Sequence, residues 1–220
     1  MNEGWTWLTD GDNWHGPDGI PTRVAEHLGY SLLILLIAVA IGVPLGLLIA
    51  RTGNPLAFTV ISVANAFRAL PTLGLLVLIY LLTTGGDSAA LIPLIALAVP
   101  PILLNTYEGI RQVEPQIRDA ASGMGMTGLQ ILLRVELPIA VPLLMLGVRT
   151  AAVQVVATAT VAAYINLGGL GGYIMDGVLL QEYGTVVGGS VLVVILAIAV
   201  QLSFTLLGRV LTPKGLRQKS

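Results

Sequence analysis

The sequence predicts an all-α fold, a polytopic bundle of about five membrane-crossing helices with its N-terminus outside and its C-terminus in the cytoplasm. Three observations predict it. Apolar residues make up 55% of the 220 residues and charged residues only 10%, against roughly 25% charged in a soluble domain. The apolar residues gather into stretches as long as a helix needs to span lipid, about 20 residues. Basic residues concentrate on alternate connections between these stretches, as cytoplasmic loops do.

The stretches are taken in order. The first runs from about Tyr30 to Ala50 and stops at Arg51. The second, 55–83, is interrupted by Arg68 and Pro71, so one broken helix and two shorter pieces both fit. The third, about Ala89 to Tyr107, carries Pro93, Pro100 and Pro101. A polar stretch follows, Glu108 to Leu137. The fourth crossing spans about Pro138 to Ile165, a glycine-rich segment runs from Asn166 to Tyr183, and the fifth spans about Gly184 to Gly208. With the N-terminus outside, Arg51, Arg111, Arg118, Arg134, Arg209, Lys214, Arg217 and Lys219 all fall on the cytoplasmic side. Only Arg23 is left outside, while Arg68 and Arg149 lie within crossings. The opposite orientation inverts this pattern. Three parts result: an extracytoplasmic or interfacial segment 1–29, a membrane domain 30–208 and a basic tail 209–220.

Segment 1–29 holds all three tryptophans, Trp5, Trp7 and Trp14, a residue that favours the membrane–water interface. Pro21 followed by Thr22 to Leu28 suits a short helix on the outer surface. Anchoring the first crossing is the plain reading, and a ligand site is the other. No Lys or Arg precedes Pro21, so the start lacks the positive region of a signal peptide and is expected to stay in the mature chain. A net charge of −1 implies no nucleic-acid partner. The absence of cysteine excludes disulfides and thiol catalysis. No P-loop is present, so ATP hydrolysis is not expected on this chain. His15 and His27 have no metal-ligand spacing, and no Ser/His/Asp set shares a location. No catalytic residue, metal or cofactor is therefore assigned.

The polar stretch before Pro138 is too charged to span and too long for a plain connection. Pro115 suits the first position of a helix. Ile117, Ala120, Ala121 and Met124 then recur at i, i+3, i+4 and i+7, one apolar helical face. Gly123, Gly125 and Gly128 end this helix and allow a tight turn. Thr127 with Gln130 forms a capping box. Leu129, Leu132 and Leu133 give a second short helix its apolar side, and Pro138 fixes where the chain re-enters the membrane. Such an elbow suits docking into a groove on another protein; on periodicity alone, resting on lipid headgroups fits as well. Gly123 to Gly128 also matches G-x-G-x-x-G. That pattern marks dinucleotide binding only after a strand in a βαβ unit, which is not its setting here.

The same residues carry a family resemblance. Asp119-Ala120-Ala121, then Gly125, then Val135, Leu137 and Pro138 resemble the "EAA" signature of ABC importer permeases: E-A-A, three residues, G, nine residues, I-x-L-P. Asp119 stands for Glu and Val135 for Ile. Arg68-Ala69-Leu70-Pro71-Thr72-Leu73 resembles a segment of the permeases that serve osmoprotectant uptake. So do Gly147-Val148-Arg149-Thr150-Ala151, the run Thr158 to Ile165, Gly168 to Gly171, and the opening with Asn13-Trp14, Gly16 to Ile20 and Glu26-His27-Leu28. The resemblance implies the methionine-importer-type transmembrane domain of a type I ABC importer. It implies coupling helices at about 108–137 that fit a cleft on an ATPase, two ATPase subunits, an extracytoplasmic substrate-binding protein and a second permease copy or paralogue. It implies a bacterial cell membrane and glycine betaine, choline or carnitine as substrate, taken up by alternating access. A permease for another solute such as methionine, and an ATP-independent secondary carrier, are the rival readings.

Arg68 and Arg149 sit inside apolar segments, where an arginine costs about 2.5–3.5 kcal/mol or more. They either line the pathway or brace broken helices: Arg68 near Pro71, Arg149 against a neighbouring helix. Thr158, Thr160 and Asn166 are candidates for a polar lining, although membrane threonines often bond their own helix. No aromatic cage lies within a crossing: Tyr80, Tyr107, Tyr164 and Tyr173 are scattered. Selectivity for a quaternary ammonium is therefore expected to lie mainly in the binding protein. Gly168, Gly169, Gly171 and Gly172 form a re-entrant turn or outer gate, or a simple loop. Gly42 with Gly46 and Gly184 with Gly188 have the small-xxx-small spacing of close helix contacts.

Overall fold

The apolar runs form long helices because a backbone with no water to bond must satisfy itself internally. The computed structural model describes residues 2–52, 54–83, 87–165 and 167–212, with the side chains of 2, 54–56, 68 and 87–90 outside the description. Ten α-helices follow in order among the described residues: α1 Asn2–Thr9, α2 Ile20–Thr52, α3 Asn54–Ala69, α4 Thr72–Leu82, α5 Asp87–Arg111, α6 Pro115–Gly123, α7 Gly128–Ile131, α8 Leu137–Ala162, α9 Gly171–Leu180 and α10 Tyr183–Leu211. Four uninterrupted stretches are long and apolar enough to cross a bilayer, and α3 with α4 makes a fifth if the bent pair is one span.

The packing register decides that count. Gly42 of α2 faces Ile102 of α5, and Gly46 faces Thr106, so α2 and α5 run parallel. The chain leaves α2 at one end and enters α5 at the other. The intervening α3–α4 pair therefore carries it back across the bundle, bent by 95°. Pro71 precedes α4 in an extended conformation, so one traverse is built from two helical pieces. Gly109 packs on Ala140 and Gly147 on Pro101 and Asn105, which makes α8 antiparallel to α5. One end of the bundle holds Arg51, Arg111 and the elbow; the other holds His27, Gly168 and α1.

The core is built by α2, α4, α5 and α8 around Ile34, Ala38, Leu76, Leu94, Ala98, Ile102, Ala151 and Val155. The buried face of α8 is mostly Ala, Gly and Val. Small side chains let neighbouring backbones approach, and close packing is what holds helices together where lipid competes for apolar surface. Helix α10 stays at the edge, burying only Gly188 and Gly189. The two small-xxx-small pairs are used within the chain. Gly42 and Gly46 receive α5, while Gly184 and Gly188 receive Glu3 and Trp7 of α1.

Several boundaries differ from expectation. Helix α2 begins at Ile20, so Pro21 to Leu28 is its first part and not a separate surface helix. The reason is burial: Ile20 and His27 are covered, and Pro21 sits where no intrahelical N–H is needed. The element standing apart at this end is α1. The second elbow helix is not separate from the fourth crossing, because Gly128 to Ile165 runs on as one span. Pro138 interrupts nothing, since the five residues Leu132–Glu136 form a π-helical turn in which Leu137 N–H donates to the Leu132 carbonyl. Helix α10 reaches Leu211 and includes Arg209, and the rest of the expected tail, 213–220, lies outside the described residues.

Candidate functional site

The two elbow helices start differently: α6 opens on a proline with no side-chain cap, and α7 on a capping box. Pro115 is the first residue of α6 and Glu114 precedes it. The Thr127 hydroxyl accepts from Gln130 N–H, and the Gln130 side chain accepts from Thr127 N–H at 2.8 Å, completing the capping box. Of the three glycines read as turn-makers, only Gly125 has a left-handed backbone, φ +80°. Gly123 closes α6 and Gly128 opens α7.

Helix α6 turns Ala121 inward. Ile117, Ala120, Met124 and the following Val135 line an open cleft of about 340 Å³. Met124, the residue just past α6, is 76% exposed. Asp119 and Ala120 are exposed. Leu137 and Pro138 are half-buried at the start of α8. The structure thus gathers Ala120, Ala121 and Val135 at one cleft, with Asp119 on the outside of α6.

Beneath this surface lies a group that sequence reasoning passed over. Glu136 is buried at the end of the π-helical turn. One carboxylate oxygen is 3.1 Å from the Arg51 guanidinium, and the other is 2.8 Å from Arg118 Nε. Arg51 also donates to the Gly128 carbonyl at 2.9 Å, and Arg118 to the Ile110 carbonyl at 2.5 Å. The carboxylate joins Arg51 of α2 to Arg118 of α6, and the two arginines extend the contact to the ends of α7 and α5. The only available signal was an acid at the re-entry point of an apolar span.

The opposite end holds the glycine turn. Gly168 and Gly169 have φ of +78° and +73°, whereas Gly171 and Gly172 begin α9. Gly169 N–H donates to Glu26 Oε2 at 3.1 Å, Glu26 pairs with Arg23, and Arg23 pairs with Asp18 at 2.6 Å. The Tyr173 hydroxyl donates to the Asp18 carbonyl at 2.5 Å. Desolvation raises the pKa of that phenol above its ordinary value, so it remains a donor. Trp7 packs edge-on against Tyr173. His27 Nε2–H donates to the Val156 carbonyl at 3.0 Å and holds α2 to α8.

Arg149 donates to the Thr205 hydroxyl at 3.3 Å, joining α8 to α10. Thr158 and Thr160 turn their hydroxyls to the Gln154 and Ala157 carbonyls of their own helix. Pro71 sits at the bend before α4. The side chain of Arg68 and residue Asn166 lie outside the described residues.

The described residues thus form a bundle of helices long and apolar enough to cross a membrane, with an apolar-faced elbow at one end. Residues 42–216 match the family described as binding-protein-dependent transport system inner membrane component. The chain belongs to that family and is the permease subunit of an ABC importer. It is 37% identical over 195 residues to the glycine betaine/carnitine/choline transport system permease protein OpuCB of Bacillus subtilis (strain 168), covering 89% of each chain. It is also 37% identical over 196 residues to the choline transport system permease protein OpuBB of the same organism, covering 89% of this chain and 90% of that one. The osmoprotectant import permease protein OsmW of Salmonella typhimurium is 34% identical over 197 residues, with 87% and 91% covered. Among solved structures, the MetNI methionine ABC transporter in an inward-facing conformation matches with a TM-score of 0.74 at 26% identity, over 97% of this chain and 100% of that one. Membership of this family implies an ATPase and a substrate-binding protein as working partners.

Proposed function

We propose that this permease passes quaternary-amine osmoprotectants (glycine betaine, choline or carnitine) into the cell by alternating access. The observation that carries the mechanism is the elbow: an ion-paired helix pair presenting the apolar face of α6, with Ile117 and Met124 exposed. The substrate class rests on the relatives named for choline, carnitine and glycine betaine transport. The elbow faces the cytoplasm, where the basic residues Arg51, Arg111, Arg118 and Arg134 gather. Asp119, Ala120, Ala121, Gly125, Val135, Leu137 and Pro138 form the surface and frame that an ATPase subunit grips.

Two ATPase subunits and a second permease, identical or paralogous, complete the transporter, because five traverses are too few to enclose a pathway and both gates. Segment 1–29 and the turn at Gly168 to Gly172 lie outside, where the binding protein delivers substrate. That turn acts as the outer gate, and Arg149 braces α8 against α10.

The test is uptake of labelled choline and glycine betaine, with labelled methionine as the competing substrate, into proteoliposomes holding the complete complex. Gly125→Val forces a β-branched residue into a left-handed backbone, costing about 1–2 kcal/mol, with open space around the new side chain. Uptake is expected to fall while membrane insertion is retained. Unchanged uptake removes the coupling role, and methionine import without choline or betaine import removes the substrate class.

A further inference from the structure

Helix α6 reaches the bundle through two short non-helical connectors. Before it runs the short link from Gln112 to Glu114; after it comes the left-handed turn at Gly125. A helix joined this way swings unless something fixes it. Apolar contact resists sliding poorly, whereas a buried ion pair holds a distance; the Arg51 arm is in addition a directed hydrogen bond at 3.1 Å, and the Arg118 arm is held by charge at 2.8 Å. Glu136 supplies that fixing. Its side chain is 6% exposed and takes one arginine on each oxygen, Arg51 from α2 and Arg118 from α6. A carboxylate this deep is tolerated only with such partners. Arg118 extends the tie to the Ile110 carbonyl, the last turn of α5.

We infer that Glu136 is the positioning residue that locks α6 to the ends of α2 and α8, so that a displacement imposed on α6 moves all three as one body. This rests on the reading of α6 as the ATPase dock. The lock turns a push on a nine-residue helix into rotation of whole transmembrane helices. Without it, the partner swings α6 on its connectors and the bundle stays behind.

The chain has no cysteine, so cysteines introduced into it are its only thiols, and the permease is labelled before it is assembled with its partners. Ser122→Cys on α6 and Leu48→Cys on α2, both exposed, carry spin labels in the complete complex with ATPase and binding protein. The distance between them is read with and without ATP. With Glu136 present it is the same in both states. In Glu136→Gln it shifts and broadens on ATP binding, and choline imported per ATP hydrolysed falls about tenfold, within the usual range for site coupling. Co-purification with the ATPase and ATP hydrolysis persist. Glu136→Asp, which keeps the charge, restores the narrow distance. A merely structural role would lower complex yield, hydrolysis and uptake together. If Glu136→Gln does not insert, Arg51→Gln carries the same measurement, because that side chain is partly exposed and its loss frees α2 alone. A distance indifferent to ATP in the glutamine variants overturns the lock. The dock itself is tested apart: an Ile117→Glu, Met124→Glu chain that still co-purifies with the ATPase overturns the docking reading instead.

Discussion

Gly46 and Gly123 are both helical glycines, and alanine acts on them in opposite directions. A Cβ on Gly46 falls 2.7 Å from Thr106 Cβ and 2.8 Å from the Leu103 carbonyl oxygen of α5. The oxygen belongs to a helix backbone and cannot step aside. Gly46→Ala therefore separates α2 from α5, and overpacking of this kind costs about 1–3 kcal/mol. That exceeds the gain of up to about 1 kcal/mol from replacing a helical glycine. Gly123 has nothing within 4 Å of the same position, so Gly123→Ala keeps only the helix-propensity gain. Reversible unfolding in mixed detergent micelles should show a lower midpoint for Gly46→Ala and an equal or higher one for Gly123→Ala. A stable Gly46→Ala would mean that α2 and α5 are not in the contact described.

At the scale of the element, α5 shows how a helix with Pro93, Pro100 and Pro101 holds together. Pro101 has no N–H for the Leu97 carbonyl one turn earlier. Gln154 of α8 reaches across, its Nε2 lying 3.3 Å from that oxygen. Gln154→Leu leaves the carbonyl without a donor and is expected to lower stability by about 0.6–1.7 kcal/mol, the range for polar contacts between membrane helices. Gln154→Leu combined with Pro101→Ala, which returns the N–H, should recover most of the loss in the same unfolding assay. The contrast explains what the sequence made legible. Apolar runs, the proline at the start of α6 and the capping box at Thr127 are local signals, and each reveals that its element exists, though not always where it begins or ends. Gln154 and Glu136 act on partners 57 and 85 residues away, which no local pattern encodes. Glu136 is hidden further by the π-helical turn before it, because that turn changes which residues share a face and defeats a 3.6-residue count. The start of α2 was misjudged for a related reason: its largely exposed first turns are tied to α8 through the buried His27, a tertiary fact.

For the whole molecule, the parallel run of α2 and α5 places the elbow and the glycine turn at opposite ends of five traverses. Basic residues then mark the elbow end: Arg51, Arg111, Arg118 and Arg134 lie there, and Arg209 in the last turn of α10 follows Gly208, which faces Met145 of α8. The far end has Arg23, already neutralised by Asp18 and Glu26. Positive charge is retained on the cytoplasmic side during insertion, which supports the proposal that the elbow end faces the cytoplasm. Single cysteines decide this directly in a chain that has none. Trp5→Cys and Leu129→Cys replace side chains that are 70% and 64% exposed, one at each end. In intact spheroplasts a membrane-impermeant maleimide should modify position 5 and leave position 129 untouched until the membrane is opened. The inverse labelling pattern would put the elbow outside the cell, away from any ATP-driven partner. It would remove the proposed coupling route while leaving every intramolecular contact described above intact.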